Sequence, residues 1–552
     1  FITETPADFS VLQQPPVRSG EEKARSPLGE LLHSAFQGRR TRGVAMGAEA
    51  EDWTTVQRTF VVRRRTQAAL TASARPVAIG DATITAPGLT GTAQTYFGGK
   101  GRADAATQMT TPLAAALADA TISVERTIAL GGVAPSGGAT RGGPSTMSLT
   151  VPAPPPGHGQ LVMATDEDGI VSWHVAPARA ATRGGSEVTA SRRYEIPADA
   201  VEHTSGPQTR GLVAMVGKKL LKELVFPLVD PVIGEISATF VNRLEQAKWP
   251  YRVRTFLPGA HATDVGGTLD GAGWASLAQG RALLFLHGTF SRSHLAFGTL
   301  PSDVMTELAH CYGGRLFAFD HFTLSHDPKE NIRRFLAEVP DGTALDVDIV
   351  CHSRGGLVAR MLSEQLAQYA LGGRRLRVGQ VVFVGSPNAG TGLADPQHVG
   401  AFLDVITNLV NVIPSGGVGD VLGMVLGVLK QVAVGAMAGL DGLMSMDPDG
   451  DFAKWLQAGR PLDGTRYRAI AANVTPVDPG LKRFLFRRGL GQLLAGANDL
   501  VVPTESVYGA AAGAGFPITE RHVLEGNEAV SHTQYFADRS VQQQLLAWLS
   551  AS

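Results

Sequence analysis

From Arg281 onward, short runs that are apolar at nearly every position alternate with amphipathic stretches: ALLFLH, RLFAFD, DVDIVC, QVVFVG and YRAIAANV. A strand with one face in water alternates apolar and polar residues. A strand apolar throughout has both faces covered, as in a parallel sheet with helices on both sides. Parallel neighbours need crossover connections, which the intervening amphipathic segments can supply as helices, with right-handed crossings. Residues 266–552 are therefore expected to form an α/β domain with a mostly parallel central sheet flanked by helices.

At 552 residues the chain exceeds one hydrophobic core, so further units are expected upstream. Residues 1–144 are rich in Ala, Thr, Gly and Arg and indicate no role; GGVAPSGGATRGGPS, from Gly131, reads as a flexible linker, making the region partly flexible. Residues 145–210 alternate with period two between turn signals and read as a small β-rich module. Residues 211–265 read as a helical connector, because MVGKKLLKELVFPLVDPVIGEISATFVNRLEQAKW spaces its apolar residues at three and four, broken at Pro227 and Pro231.

Charge excludes some partner classes. Lys plus Arg (49) and Asp plus Glu (50) nearly cancel, so no strong field draws the chain to nucleic acid or an anionic membrane. Cys311 and Cys351 are the only cysteines, which fits a reducing, cytoplasmic setting better than a disulfide-held secreted one. The start, FITETPADFSVLQQPP, lacks the basic and apolar regions of a signal peptide, but residue 1 is Phe, so an earlier processed segment leaves secretion open. The most apolar stretch, Val421 to Leu440, carries Lys430 at its middle. A membrane span needs roughly 20 apolar residues and a central lysine costs about 3 kcal/mol, so a soluble hydrophobic cover is expected instead.

The run DVDIVC leads directly into His352, Ser353, Arg354, Gly355 and Gly356, then into the helical pattern LVARMLSEQLAQYAL. A serine at such a turn sits in strained backbone with its hydroxyl beyond the sheet edge, and the following glycine lets strand and helix approach. The helix start aims N–H groups and partial positive charge at any nearby oxyanion. The competing use of Ser353 is as a helix N-cap. ALLFLH leads into Gly288, Thr289 and Phe290, so the N–H groups of Thr289 and Arg354 are the candidate oxyanion hole, unless Gly288 merely makes a tight turn. Phe290 and His352, beside these donors and the serine, are the candidate substrate-binding residues. Downstream, Asp499 lies in ANDLVVP and His532 follows the strand-like ITERHVLEG. His532 is the candidate general base for Ser353, and Asp499 the acid that orients it. Asp463, Asp478 and the Asp447 to Asp451 run compete with Asp499; His522, inside the predicted strand, competes with His532.

HGTF, CHSRGG, NDLVVP and SHTQYF, in this order, resemble the triacylglycerol-lipase and esterase branch of the α/β-hydrolase superfamily over residues 281–552, as does LMSMDPDGDFAKWLQAG. The resemblance implies an α/β-hydrolase fold, a Ser353, Asp499, His532 triad, an acyl-enzyme and no cofactor. One departure is Cys351 where such lipases have glycine before His-Ser; a compact, inert, buried thiol fits there better than a reactive one. An insertion at about 396–446, with FLDVITNLVNVIP and VLGMVLGVLKQVAVGAMAGL, is expected to form a helical cap or lid over the site, favouring small-molecule or lipid-like ester substrates. Its competing use is internal packing or a homo-oligomer contact. Asp320, His321, His326 and Asp327 cluster after a strand but match no metal motif, so no metal is assigned. Two other readings stay open: an acyltransferase with the same triad, and a non-catalytic interaction protein on a hydrolase scaffold.

Overall fold

The computed structural model describes residues 66–97, 110–136, 146–167, 169–176, 191–197, 200–204, 210–214, 219–230, 234–235, 240–410, 417–461, 464–475, 496–510, 515–527 and 530–550. All fall in the unit Arg64–Ser552, and the other unit, Phe1–Arg63, lies outside the described residues. Of the linker expected from Gly131 to Ser145, residues up to Pro135 belong to a β-strand instead, and 137–145 lie outside the described residues.

The first half of this unit is a β domain. In chain order its strands are β1 (Thr66–Thr71), β2 (Val77–Ile79), β3 (Ala82–Thr85), β4 (Leu89–Phe97), β5 (Ser123–Pro135), β6 (Thr146–Pro152), β7 (His158–Asp166), β8 (Val171–His174), β9 (Ser191–Pro197), β10 (Ala200–Thr204), β11 (Arg210–Ala214), β12 (Lys219–Pro227), β13 (Val229–Asp230) and β14 (Gly234–Glu235), with helix α1 (Thr111–Asp119) before β5. An antiparallel sheet ordered β1-β4-β5-β12-β7-β8 shares a core with a sheet ordered β2-β3-β6-β9. Alternation divides the larger sheet between two cores: Val162 and Ala164 of β7 face the sandwich, whereas Leu161 and Met163 join the core of the second half.

Two expectations are corrected here. A boundary near residue 144 does not divide the fold, because β3 pairs with β6 and β5 with β12 across it. Residues 211–265 are not a helical connector: β11 and β12 are strands, and among the described residues of this stretch only α2 (Phe240–Lys248) is α-helical. β12, KLLKELVFP, places Leu221 in the sandwich core and Leu224 and Phe226 in the other, and a strand buried on both faces loses the alternation that distinguishes it from a helix.

The second half carries a seven-stranded sheet whose strands are β15 (Arg252–Thr255), β16 (Arg281–Leu286), β17 (Leu316–Asp320), β18 (Ala344–His352), β19 (Arg375–Val384), β20 (Arg466–Val474) and β21 (Arg521–Asn527), ordered β15-β17-β16-β18-β19-β20-β21. β15 is antiparallel to β17, and every other pair is parallel. The sheet thus begins at Arg252, before the expected boundary at 266. Helices α3 (Ser293–Phe297), α4 (Pro328–Glu338), α5 (Gly355–Glu364), α6 (Val399–Val410), α7 (Val418–Ala433) and α8 (Arg539–Leu549) follow in chain order. Strand residues divide between cores on the two sheet faces, Leu284, Ile349 and Phe383 on one and Phe285, Val350 and Val382 on the other. Each such side chain taken fully from water contributes roughly 1.5–3 kcal/mol.

Helices α6 and α7 fill the region expected as an insertion, and α7 packs against α1, α2 and β7. Lys430 of α7 is 2% exposed; its ammonium donates to the carbonyl of Ala120, the C-cap of α1, and lies 5.5 Å from the Phe226 ring. A cation there meets the negative end of the α1 dipole. Among the described residues no helix is long and apolar enough to cross a membrane.

Candidate active site

Between β18 and α5, Ser353 has φ 53°, in the left-handed region that costs a non-glycine residue about 1–3 kcal/mol. The neighbouring glycines make room for it. A Cβ on Gly355 would lie 2.3 Å from the Leu286 carbonyl oxygen, one on Gly356 would lie 2.5 Å from Ser386 Cβ, and one on Gly288 would lie 2.5 Å from Ser353 Cβ. The Ser353 N–H donates to the Val384 carbonyl at 3.0 Å, tying the turn to β19. Cys351 is fully buried, 3.4 Å from the Val382 carbonyl, and burial pushes its thiol well above the ordinary range, which fits the inert role.

Two loops at the same edge of the sheet bring the remaining groups to Ser353. Asp499 lies in the tight turn after β20, where Leu500 has φ 81°, and His532 follows β21. His532 Nε2 is 2.9 Å from Ser353 Oγ, and His532 Nδ1 is 2.8 Å from Asp499 Oδ2. Asp499 Oδ1 accepts from the N–H groups of Val501 at 3.0 Å and Val502 at 2.7 Å, and Oδ2 also accepts from the Tyr535 hydroxyl at 2.9 Å. Burial alone would raise the Asp499 carboxyl, but the His532 imidazole and these donors outweigh it and hold the group below its usual value. Tyr535, 1% exposed, is a member of the cluster that sequence reasoning missed; its signal was a place one turn beyond His532 in SHTQYF.

The rivals lie elsewhere. Asp447 caps its own turn by accepting from the Asp449 N–H at 3.0 Å, and His522 Nε2 is 3.1 Å from Ser540 Oγ at the start of α8. Asp463 and Asp478 lie outside the described residues.

Thr289 lines the same cavity as Ser353, Arg354 follows Ser353 in sequence, and among the described residues neither backbone N–H has a protein acceptor. The Arg354 side chain points away into the protein. Its guanidinium donates to the carbonyls of Gly442 at 2.7 Å and His326 at 2.5 Å and to Asn331 Oδ1 at 3.1 Å, and burial lowers it to about 10. The start of α5 is thereby fastened to the segment beyond α7. That segment carries Met446, whose sulfur accepts from the Thr289 hydroxyl at 3.6 Å.

A cavity of about 70 Å³ opens beside Ser353, lined by Phe290, Leu295, Phe402, Ile406, Leu409, Met446 and Val501 among others. Phe290, itself at φ 53°, has its ring 6.0 Å from that of Phe402. His352 also lines the cavity, and its Nε2 donates to the His532 carbonyl at 2.8 Å, fixing the backbone of that residue. Burial, with His532 beside it, pushes the His352 imidazole down to about 3, so it is neutral.

The Asp320 to Asp327 cluster is engaged in structural contacts. Asp320 accepts from the Ser293 N–H at 2.9 Å and pairs with Arg292 at 3.1 Å; Asp327 caps α4 by accepting from the Glu330 N–H at 2.9 Å; and the His326 ring lies between Asn242 and Tyr251. Among the described residues, Glu307, His310 and Cys311, exposed on one helix, form the one group whose ligand atoms converge as a metal site requires.

No curated protein matches the sequence. Similar solved structures include lipase 1 from Pelosinus fermentans (14% identity, 49% of this chain and 98% of that one, TM-score 0.35) and EstA from Clostridium botulinum (12%, 49% and 87%, TM-score 0.35). Another is the epoxide hydrolase VrEH1 from Vigna radiata (14% identity, 50% of this chain and 92% of that one, TM-score 0.28). The family described as Domain of unknown function (DUF7379) matches residues 248–550, more than half of the chain, and the chain belongs to that family.

Proposed function

We propose that this chain is a serine hydrolase of the α/β-hydrolase type that cleaves carboxylic esters through an acyl-enzyme. The observation that carries the reading is the unbroken hydrogen-bonded series from Asp499 Oδ2 through His532 to Oγ of a serine held at positive φ. Ser353 Oγ attacks the ester carbonyl as His532 Nε2 takes its proton. Asp499 fixes the tautomer and stabilises the imidazolium. The N–H groups of Thr289 and Arg354 receive the oxyanion, each contributing roughly 3 kcal/mol in the transition state. The imidazolium then protonates the departing alcohol. In the second half-reaction His532 deprotonates water, which attacks the acyl carbon; the acid leaves and the proton returns to Ser353.

The apolar cavity supports small-molecule or lipid-like ester substrates, with helices α6 and α7 as a cover over the site. The second reading is acyl transfer to an alcohol with the same triad: the apolar lining of the cavity beside Ser353 suits an organic alcohol as the second acceptor. Both cysteines are unpaired, in keeping with a cytoplasmic setting.

The test is hydrolysis of p-nitrophenyl acetate and decanoate by the wild type and by Ser353→Ala, with product analysis in added 1-butanol. Activity lost with Ser353 supports the reading, and butyl ester formation selects the transferase form. Wild-type protein inert to both esters and unlabelled by a fluorophosphonate would refute it.

A further inference from the structure

Strand β8 is the edge of the six-stranded sheet, paired with β7 on one side only. An edge strand presents unpaired N–H and C=O groups. Here a helix satisfies them. The Asn408 side chain of α6 accepts from the Val171 N–H at 2.9 Å and donates to the Val171 carbonyl at 2.8 Å, as a neighbouring strand would. Asp404 Oδ1 accepts from the Trp173 N–H at 2.7 Å, and Thr407 Oγ1 accepts from the Trp173 indole N–H at 2.9 Å. The registers agree: residues four apart on a helix are about 6 Å apart along its axis, and residues two apart on a strand are about 6.6 Å apart. At about 100° per residue, Asp404 and Asn408 point opposite to Phe402, Ile406 and Leu409, which line the cavity beside Ser353.

We infer that Asp404 and Asn408 are positioning residues that make the β domain the determinant of acyl-chain specificity: they hold α6 at a fixed height over Ser353, and this sets the depth of the acyl pocket. The inference rests on the ester-hydrolase reading. Because the cavity is small, loosening α6 lets its wall retreat and admits longer chains.

The experiment compares full-length wild type, Asn408→Leu, Asp404→Leu and Asp404→Asn on p-nitrophenyl acetate, butyrate and decanoate. Both leucine variants are expected to raise the decanoate-to-butyrate ratio of kcat/KM at least tenfold, mainly through a lower KM for decanoate. The kcat for acetate should stay within threefold. Asp404→Asn keeps an accepting oxygen and should retain the wild-type ratio. If the leucine variants do not fold, Trp173→Phe loosens the same contact from the β domain and should move the ratio about threefold in the same direction. An unchanged ratio in every folded leucine or Trp173 variant overturns the inference. If the wild type is inert to esters and to a fluorophosphonate, the hydrolase reading fails and with it the specificity role. The clamp itself is then judged by hydrogen exchange: protection of the α6, Val171 and Trp173 amides should fall at least tenfold in Asn408→Leu, and unchanged protection rejects it.

Discussion

Replacing Asp499 by Asn tests the proposed chemistry at the group whose surroundings are most fully determined. The two carboxylate oxygens have different partners. Oδ1 accepts from two backbone N–H groups, those of Val501 and Val502, whereas Oδ2 faces the His532 Nδ1 and the Tyr535 hydroxyl. An asparagine with its NH2 at the Oδ1 position would set two N–H donors against it in a buried site, costing about 1–3 kcal/mol for each donor left unpaired. The carbonyl must therefore occupy Oδ1 and the NH2 Oδ2. The Tyr535 hydroxyl can rotate to accept, since a phenol oxygen both donates and accepts. His532 cannot adapt without loss: its Nδ1 must become the acceptor, which puts the proton on Nε2 facing Ser353 Oγ, 2.9 Å away. An imidazole in that tautomer cannot take the serine proton. The expected fall in kcat is on the order of 10⁴, the size seen when a triad acid is neutralised, or about 5.5 kcal/mol. KM should hardly change, because Asp499 does not line the cavity. The assay is kcat and KM for p-nitrophenyl butyrate from pH 6 to 9, with a thermal melt to establish folding. A folded Asp499→Asn protein within tenfold of the wild-type kcat would refute the orienting role and with it the tautomer argument.

Tyr535→Phe removes one hydrogen bond to a buried carboxylate that keeps three other donors, so stability should fall by about 1.5–3 kcal/mol while kcat stays within about tenfold. Urea unfolding and ester kinetics measure the two effects separately, and a kcat loss as large as that of Asp499→Asn would make Tyr535 a participant of equal rank. Acid stability should fall in stages. His287 is pushed by burial down to about 4, so the unfolded chain binds its proton first; its contribution is complete above about pH 6.5 and is lost as the pH falls toward 4. Asp499, held below its usual value, contributes above the ordinary carboxylate range and loses this as the pH falls through its folded value. Thermal melts from pH 7 to pH 2.5 should show the decline, shallower between pH 6.5 and 4 in His287→Asn; an equal slope there in the variant would exclude His287 as the cause.

Ser353, His532 and Asp499 could be read in the sequence because the constraint on each is local. A serine forced into left-handed backbone needs glycine where strand meets helix, and the strand before it must be apolar on both faces, so the pattern at 347–356 admits few other folds. The same two-faced burial hid β12. There, Leu221 turns to one core and Leu224 and Phe226 to another, so apolar residues recur at the spacing of a helix. The glycines after Leu130 misled for a related reason. Gly132 has φ 56° and Gly91 φ 154°, where β4 and β5 shift register between Thr90 and Thr92. They serve a bulge inside a continuous strand pair, a use that composition cannot distinguish from a linker. Tyr535, the Arg354 guanidinium and the Asn408 amide were illegible because each acts across a long sequence separation: Arg354 on Gly442, and Asn408 on Val171. A buried polar side chain is informative only together with the group it satisfies, and sequence supplies one member of the pair. The groups proposed to react were therefore readable one residue at a time. The β domain's hold on α6 becomes visible only when both sides of the contact are in place.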